Sequence, residues 1–243
     1  GLIQNHHAGM YIDNRTVRDR EEANGFDFFS SNPLRVSVSS VDFNINARGI
    51  RADSFEELTI DTSRIVLSSR EALDLENIVF ASVEESVFSL NQTALTAPGD
   101  VNNDRATVRM TYSLALNDED QEDNNPQFYD FQFGLRSPDF QDFNDNNLPN
   151  LITDGNARYS VLMVNAARDN TIGVLNNSTS GAQFGYIVNN NSFTRLAGGN
   201  AFQSFVYYRD EQNSRVNMNV AMNEMVATSA ILGNNATRLG AIG

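Results

Sequence analysis

Apolar and polar side chains alternate along much of this chain. Between residues 106 and 116, Ala106, Val108, Met110, Tyr112, Leu114 and Leu116 are interleaved with Thr107, Arg109, Thr111, Ser113 and Ala115. A period of two gives a strand one apolar face for a core and one mostly polar face for solvent. Tyr129, Phe131, Phe133 and Leu135 repeat the device, as do Val216, Met218, Val220 and Met222. Shorter runs predict further strands at Val36 to Ile45, Leu58 to Leu67, Leu73 to Phe80, Val87 to Leu90, Tyr159 to Val164, Phe184 to Val188 and Phe202 to Tyr208. The parity slip at Ser39-Ser40 predicts a bulge or a strand break. Residues 222 to 232 carry a weak helical spacing, but the alternation just before them favours continued strand.

Many short strands joined by turn-rich segments, without helices of ten to fifteen residues between them, predict an all-β chain. The expectation is an antiparallel β-sandwich or jelly roll with long Asp/Asn-rich loops. No repeat of fixed period stands out, which argues against a solenoid. Residues 1–33 lack a sustained pattern and are expected to form an extended N-terminal arm, with 34–243 as a single large β-domain. Within the arm, Met10-Tyr11-Ile12 is a short apolar patch in polar surroundings. Such a patch suits strand addition to a neighbouring subunit's sheet edge.

Composition narrows the function classes. The 31 Asp and Glu against 17 basic residues give a net charge of -14, and every basic residue is Arg. That charge repels phosphate backbones, so nucleic acid is not an expected partner. No apolar run is long enough for a spanning helix. Cysteine is absent, which removes disulfides, thiolate nucleophiles and Cys-ligated metals. The chain opens on Gly1, and its Asn-rich sequence holds glycosylation patterns at Asn14, Asn91, Asn177, Asn190 and Asn235. These features predict an exported protein, extracellular, on a cell surface or in a virion.

Candidate chemistry is sparse. His6 and His7 are adjacent, so on an extended chain they point opposite ways, and they are the only two histidines. No nucleophile elbow or phosphate-binding glycine loop is present. The best candidates are oxygen ligands for Ca2+: Asp100, Asn102 and Asp104 in one loop, and Asp142, Asn144 and Asn146 in another. Neither loop completes a calcium pattern alone, because Arg105 to Thr111 supply no closing acid and Pro149 interrupts the second. The leading expectation is a non-enzymatic structural subunit of an extracellular or virion assembly, partnered by copies of itself. The alternatives are a calcium-assisted module binding glycans or a cell surface, and a glycoside-active enzyme using paired carboxylates.

Overall fold

The computed structural model describes residues 1–15, 34–91, 105–113, 128–134, 148–154, 157–166, 183–196, 204–210 and 215–227. These form seventeen strands. The first circuit comprises β1 (Leu2–Gln4), β2 (Ala8–Asp13) and β3 (Arg35–Ser39); the second, β4 (Asp42–Asn44) and the long β5 (Arg48–Asp61). The third holds β6 (Arg64–Val66) and β7 (Leu73–Glu84), and the fourth β8 (Val87–Ser89), β9 (Ala106–Tyr112) and β10 (Phe128–Phe133). The fifth holds β11 (Asn150–Asp154), β12 (Tyr159–Asn165) and β13 (Gln183–Asn189). In the sixth lie β14 (Asn191–Arg195), β15 (Ser204–Asp210) and β16 (Arg215–Ala221), before β17 (Glu224–Ala227) starts a seventh.

Every strand pair is parallel, in a seven-stranded and a ten-stranded sheet. The sheets form a curled half-barrel built as a stack of coils, in which each strand pairs with its counterpart one coil earlier. The seven-stranded sheet is one face. The ten-stranded sheet supplies two more, because β5 and β7 bend at Ser54 and Asn77 and run through both. Successive coils are therefore about 4.8 Å apart, the spacing of hydrogen-bonded strands.

The antiparallel sandwich or jelly roll is thus overturned. Alternation reports that one side of a strand is buried, but it says nothing about strand direction. The turns described do not reverse the chain; they carry it onto the next face. At eleven positions the means is a left-handed residue: all eleven non-glycine residues with positive φ among those described sit at corners. Asn5, Ile45, Leu67 and Leu90 occupy one corner in successive coils, Ser54 and Asn77 a second, and Ser40, Thr62, Glu85, Asn190 and Met222 a third. Ser40 accounts for the parity slip. Each such residue costs about 1 kcal/mol in backbone strain.

Two devices offset that strain. Apolar side chains stack in columns through the interior: Phe43, Ile65, Phe88, Ile152 and Phe193 from the seven-stranded sheet, and Ile50, Leu73, Val108, Val161 and Val206 from the other, all buried. The Phe133 ring lies 5.6 Å from Phe88 and 6.5 Å from Phe193, centroid to centroid. Burying one such side chain is worth about 1.5–3 kcal/mol. The second device is a polar ladder down the third corner. Ser63 Oγ accepts from the Val41 N–H, Ser86 Oγ from the Ser63 N–H, Asn150 Oδ1 from the Ser86 N–H and Asn223 Oδ1 from the Asn191 N–H. Asn150 and Asn191 are joined side chain to side chain at 3.0 Å. Each rung satisfies backbone groups that a buried corner would leave unpaired.

The ladder also reveals a repeat, correcting the expectation of none. Val41, Ser63 and Ser86 are spaced by 22 and 23 residues, as are Asn46, Ser68 and Asn91 at the first corner.

Candidate functional site

The strands of the first coil are the place to begin, since Met10, Tyr11 and Ile12 lie in β2. This strand pairs along one edge with β5, in the register Met10 to Ile50, Tyr11 to Arg51 and Ile12 to Ala52. Met10 and Ile12 pack against the interior, while Tyr11 is exposed with the Arg51 guanidinium 5.5 Å from its ring. β1 and β3 pair with β4 and β5 in the same way. Among the described residues, none of these three strands has a partner on its other edge. At the opposite end β15, β16 and β17 are likewise paired on one edge only. The ends share one three-strand outline, and each carries exposed apolar side chains: Leu2, Tyr11 and Leu34 at one, Met222 and Val226 at the other.

The C-terminal end of β2 is clamped. Arg15 pairs with Asp13, to which its Nε donates at 2.9 Å, and its Nε also lies 3.2 Å from Asp53 Oδ2. The Asn14 N–H donates to the Asp53 carbonyl at 3.1 Å. Asp13, Asp53 and Glu76 stand directly above one another in register, a column of like charges that opposes stacking. The Arg15 guanidinium holds the Asp13 carboxyl well below the usual range. Asp53 moves the other way: burial raises it, with Glu76 adding to the shift, while bonds from Ser54 and Asn77 and the charge of Arg15 oppose it.

A second ionisable group lies inside the stack. Asp154 and Arg195 are opposite one another on β11 and β14, and both are fully buried. The Asp154 carboxylate accepts from the Thr107 and Ser160 hydroxyls. Burial raises its pKa, against the stabilising pull of Ser160, Thr107 and Arg195. Arg195 is lowered by burial and supported by Asp154. This cluster is buried, so its chemistry is that of a polar plug in the core, two residues beyond Ile152 and Phe193 on the same strands.

The predicted calcium ligands Asp100, Asn102, Asp104, Asp142, Asn144 and Asn146 lie outside the described residues, as do Asn177 and Asn235. Among the described residues no group of three or more His, Asp or Glu side chains is placed to hold a metal. Asn14 and Asn190 are partly exposed. Asn91 is buried: its Oδ1 accepts from the Ser68 N–H at 2.9 Å and its Nδ2 donates to the Ile65 carbonyl at 3.0 Å. That amide is engaged in the first corner of the fold. Sequence reasoning missed Arg15, Asp53, Asp154 and Arg195, and the signal that finds the last two is the coil repeat, which aligns 150–154 with 191–195. No protein-family model, curated protein or solved structure matches this chain.

Proposed function

We propose that this chain is a non-catalytic structural subunit of an extracellular or virion assembly, a filament or sheath, in which the first coil of one copy pairs with the last coil of the next. The observation that carries the reading is the matching outline of the two strand-edged ends. An unpaired parallel edge is a template for another strand, and among the described residues no element covers either end. Repeat proteins that stay monomeric need polar capping units at their ends. A head-to-tail contact between different ends does not close on itself unless its rotation happens to, so it generates open filaments. Met10 to Ile12 lie within that joint, on a strand already held rigid by the Arg15 clamp. Coils preceding β1 in a longer chain would move the joint without changing its chemistry.

Sedimentation velocity and negative-stain microscopy across protein and salt concentration test this. Growth into longer species with rising concentration is expected, and Leu2→Lys with Val226→Lys should abolish it while leaving circular dichroism unchanged. A strictly monomeric protein at every concentration and salt level sinks the reading.

A further inference from the structure

His6 stands at a position that the later coils fill with buried hydrogen-bonding side chains. At the first corner His6, Asn46, Ser68 and Asn91 follow one another, one per coil, each directly after the left-handed residue. Two of them make the same pair of bonds to the coil before. Asn46 Oδ1 accepts from the His6 N–H and its Nδ2 donates to the Ile3 carbonyl, both at 3.0 Å. Asn91 Oδ1 accepts from the Ser68 N–H at 2.9 Å, and its Nδ2 donates to the Ile65 carbonyl at 3.0 Å. Ile3 and Ile65 each lie three residues before the N–H in question, so the two rungs are one device used twice. A side chain at this position thus supplies an acceptor to the N–H one coil earlier. Asn46, Ser68 and Asn91 are buried, whereas His6 is exposed, and among the described residues no coil lies before its own.

We propose that His6 makes the joint between copies pH-dependent: its neutral imidazole accepts the first-corner N–H of another copy's last coil, and protonation withdraws that acceptor. The inference rests on the head-to-tail joint proposed above. A neutral imidazole carries one acceptor nitrogen and one N–H, so it takes over the acceptor role of the Asn amide in later coils. An imidazolium carries two donors and no acceptor. Protonated, the ring sets an N–H against an N–H, and the joint would bury a donor without a partner. Histidine is the side chain that makes this change between about pH 5 and 8. The charged groups about this corner are His7, which is exposed, and Arg48, whose backbone N–H donates to the His7 carbonyl at 3.1 Å. The Arg48 guanidinium is committed to Glu71 at 3.2 Å and Asp74 at 2.9 Å. The Gly1 ammonium lies at the third corner, 3.3 Å from the Ser40 carbonyl, and Glu224 is exposed on the opposing end. An α-amino group and a second histidine are of kinds that titrate in the same range, so the assignment to His6 is decided by substitution.

Sedimentation velocity of the full 243-residue chain at about pH 8 and about pH 5.5, at constant ionic strength, reads the concentration at which assembly begins. That concentration should rise about tenfold at the lower pH. His6→Asn gives the first coil the amide of the later ones, and it should assemble at both pH values at about the wild-type pH 8 concentration. His6→Gln serves if that variant loses its circular dichroism spectrum. His7→Asn should keep the full pH response. No assembly at either pH overturns the joint and this inference with it. Assembly with the same onset at both pH values, a response that survives His6→Asn or His6→Gln, or one that disappears in His7→Asn overturns the role of His6 alone and leaves the joint standing.

Discussion

Asp53 shows how one side chain can work against the stack that buries it. It stands between Asp13 and Glu76 in an in-register column, and the native state raises its pKa through burial. A raised folded pKa means that the stabilisation is complete below the ordinary carboxylate range, about pH 4, and is lost as pH rises through the folded value. Asp13 has the opposite sign, since Arg15 depresses its pKa; its contribution is present above about pH 4 and is lost on acidification. Asp53→Asn keeps an acceptor for Ser54 and removes the like charge. The variant should be more stable than the wild type at pH 7, with the difference shrinking towards pH 4, when urea unfolding is measured across that range. Parallel profiles for the two proteins would contradict this account. Nothing in the sequence near Asp53 marks it, because its neighbours in the column lie 40 residues before and 23 after.

At the scale of the element, the corner ladder is the most tightly specified feature. Asn191 Nδ2 donates to the Phe133 and Asn189 carbonyls and to Asn223 Oδ1, and Asn191 Oδ1 accepts from Asn150. Asn191→Ala strands several of these groups in the interior and should destabilise the protein by about 3 kcal/mol. Ser192→Ala, removing an exposed bond to Glu224, should change it by less than about 0.5 kcal/mol. Chemical denaturation of both variants checks the contrast, and equal losses would mean that the ladder is incidental. Strand positions were legible in the sequence because alternation survives in β9, β10 and β16. Strand direction was not, since parity is the same for parallel and antiparallel neighbours. The repeat was written in Val41-Asp42-Phe43, Ser63-Arg64-Ile65, Ser86-Val87-Phe88, Asn150-Leu151-Ile152, Asn191-Ser192-Phe193 and Asn223-Glu224-Met225. Segments of variable length between faces stretch the spacing after Ser86 and hide it. Asn150, Asn191 and Asn223 read as turn formers, a fair description of their corner that omits the hydrogen bonds they make to other coils.

At the scale of the whole molecule, the described strands of each inner coil pair with those of the coils before and after it, so stability is close to a sum of coil and interface terms. Amide hydrogen exchange should therefore be slowest in β6, β7, β8 and β9 and should quicken towards β1 and β17, which are bonded on one side only. Uniform protection from end to end would indicate a single cooperative unit. The candidate end joint was only half legible: the apolar patch at Met10 to Ile12 was visible, but the edge it belongs to depends on parallel pairing with a strand some 40 residues away.

The spacing between coils has a mechanical consequence. The coils from Val41 to Ser86, of 22 and 23 residues, each advance the stack by only about 4.8 Å, yet fully drawn out each spans roughly 75 Å. Tension along the axis loads all the bonds between two coils together, so little yields until one interface gives way. The released coil then lengthens about fifteenfold while the rest stays folded. A tether built this way is stiff at small loads and lengthens in discrete steps at large ones.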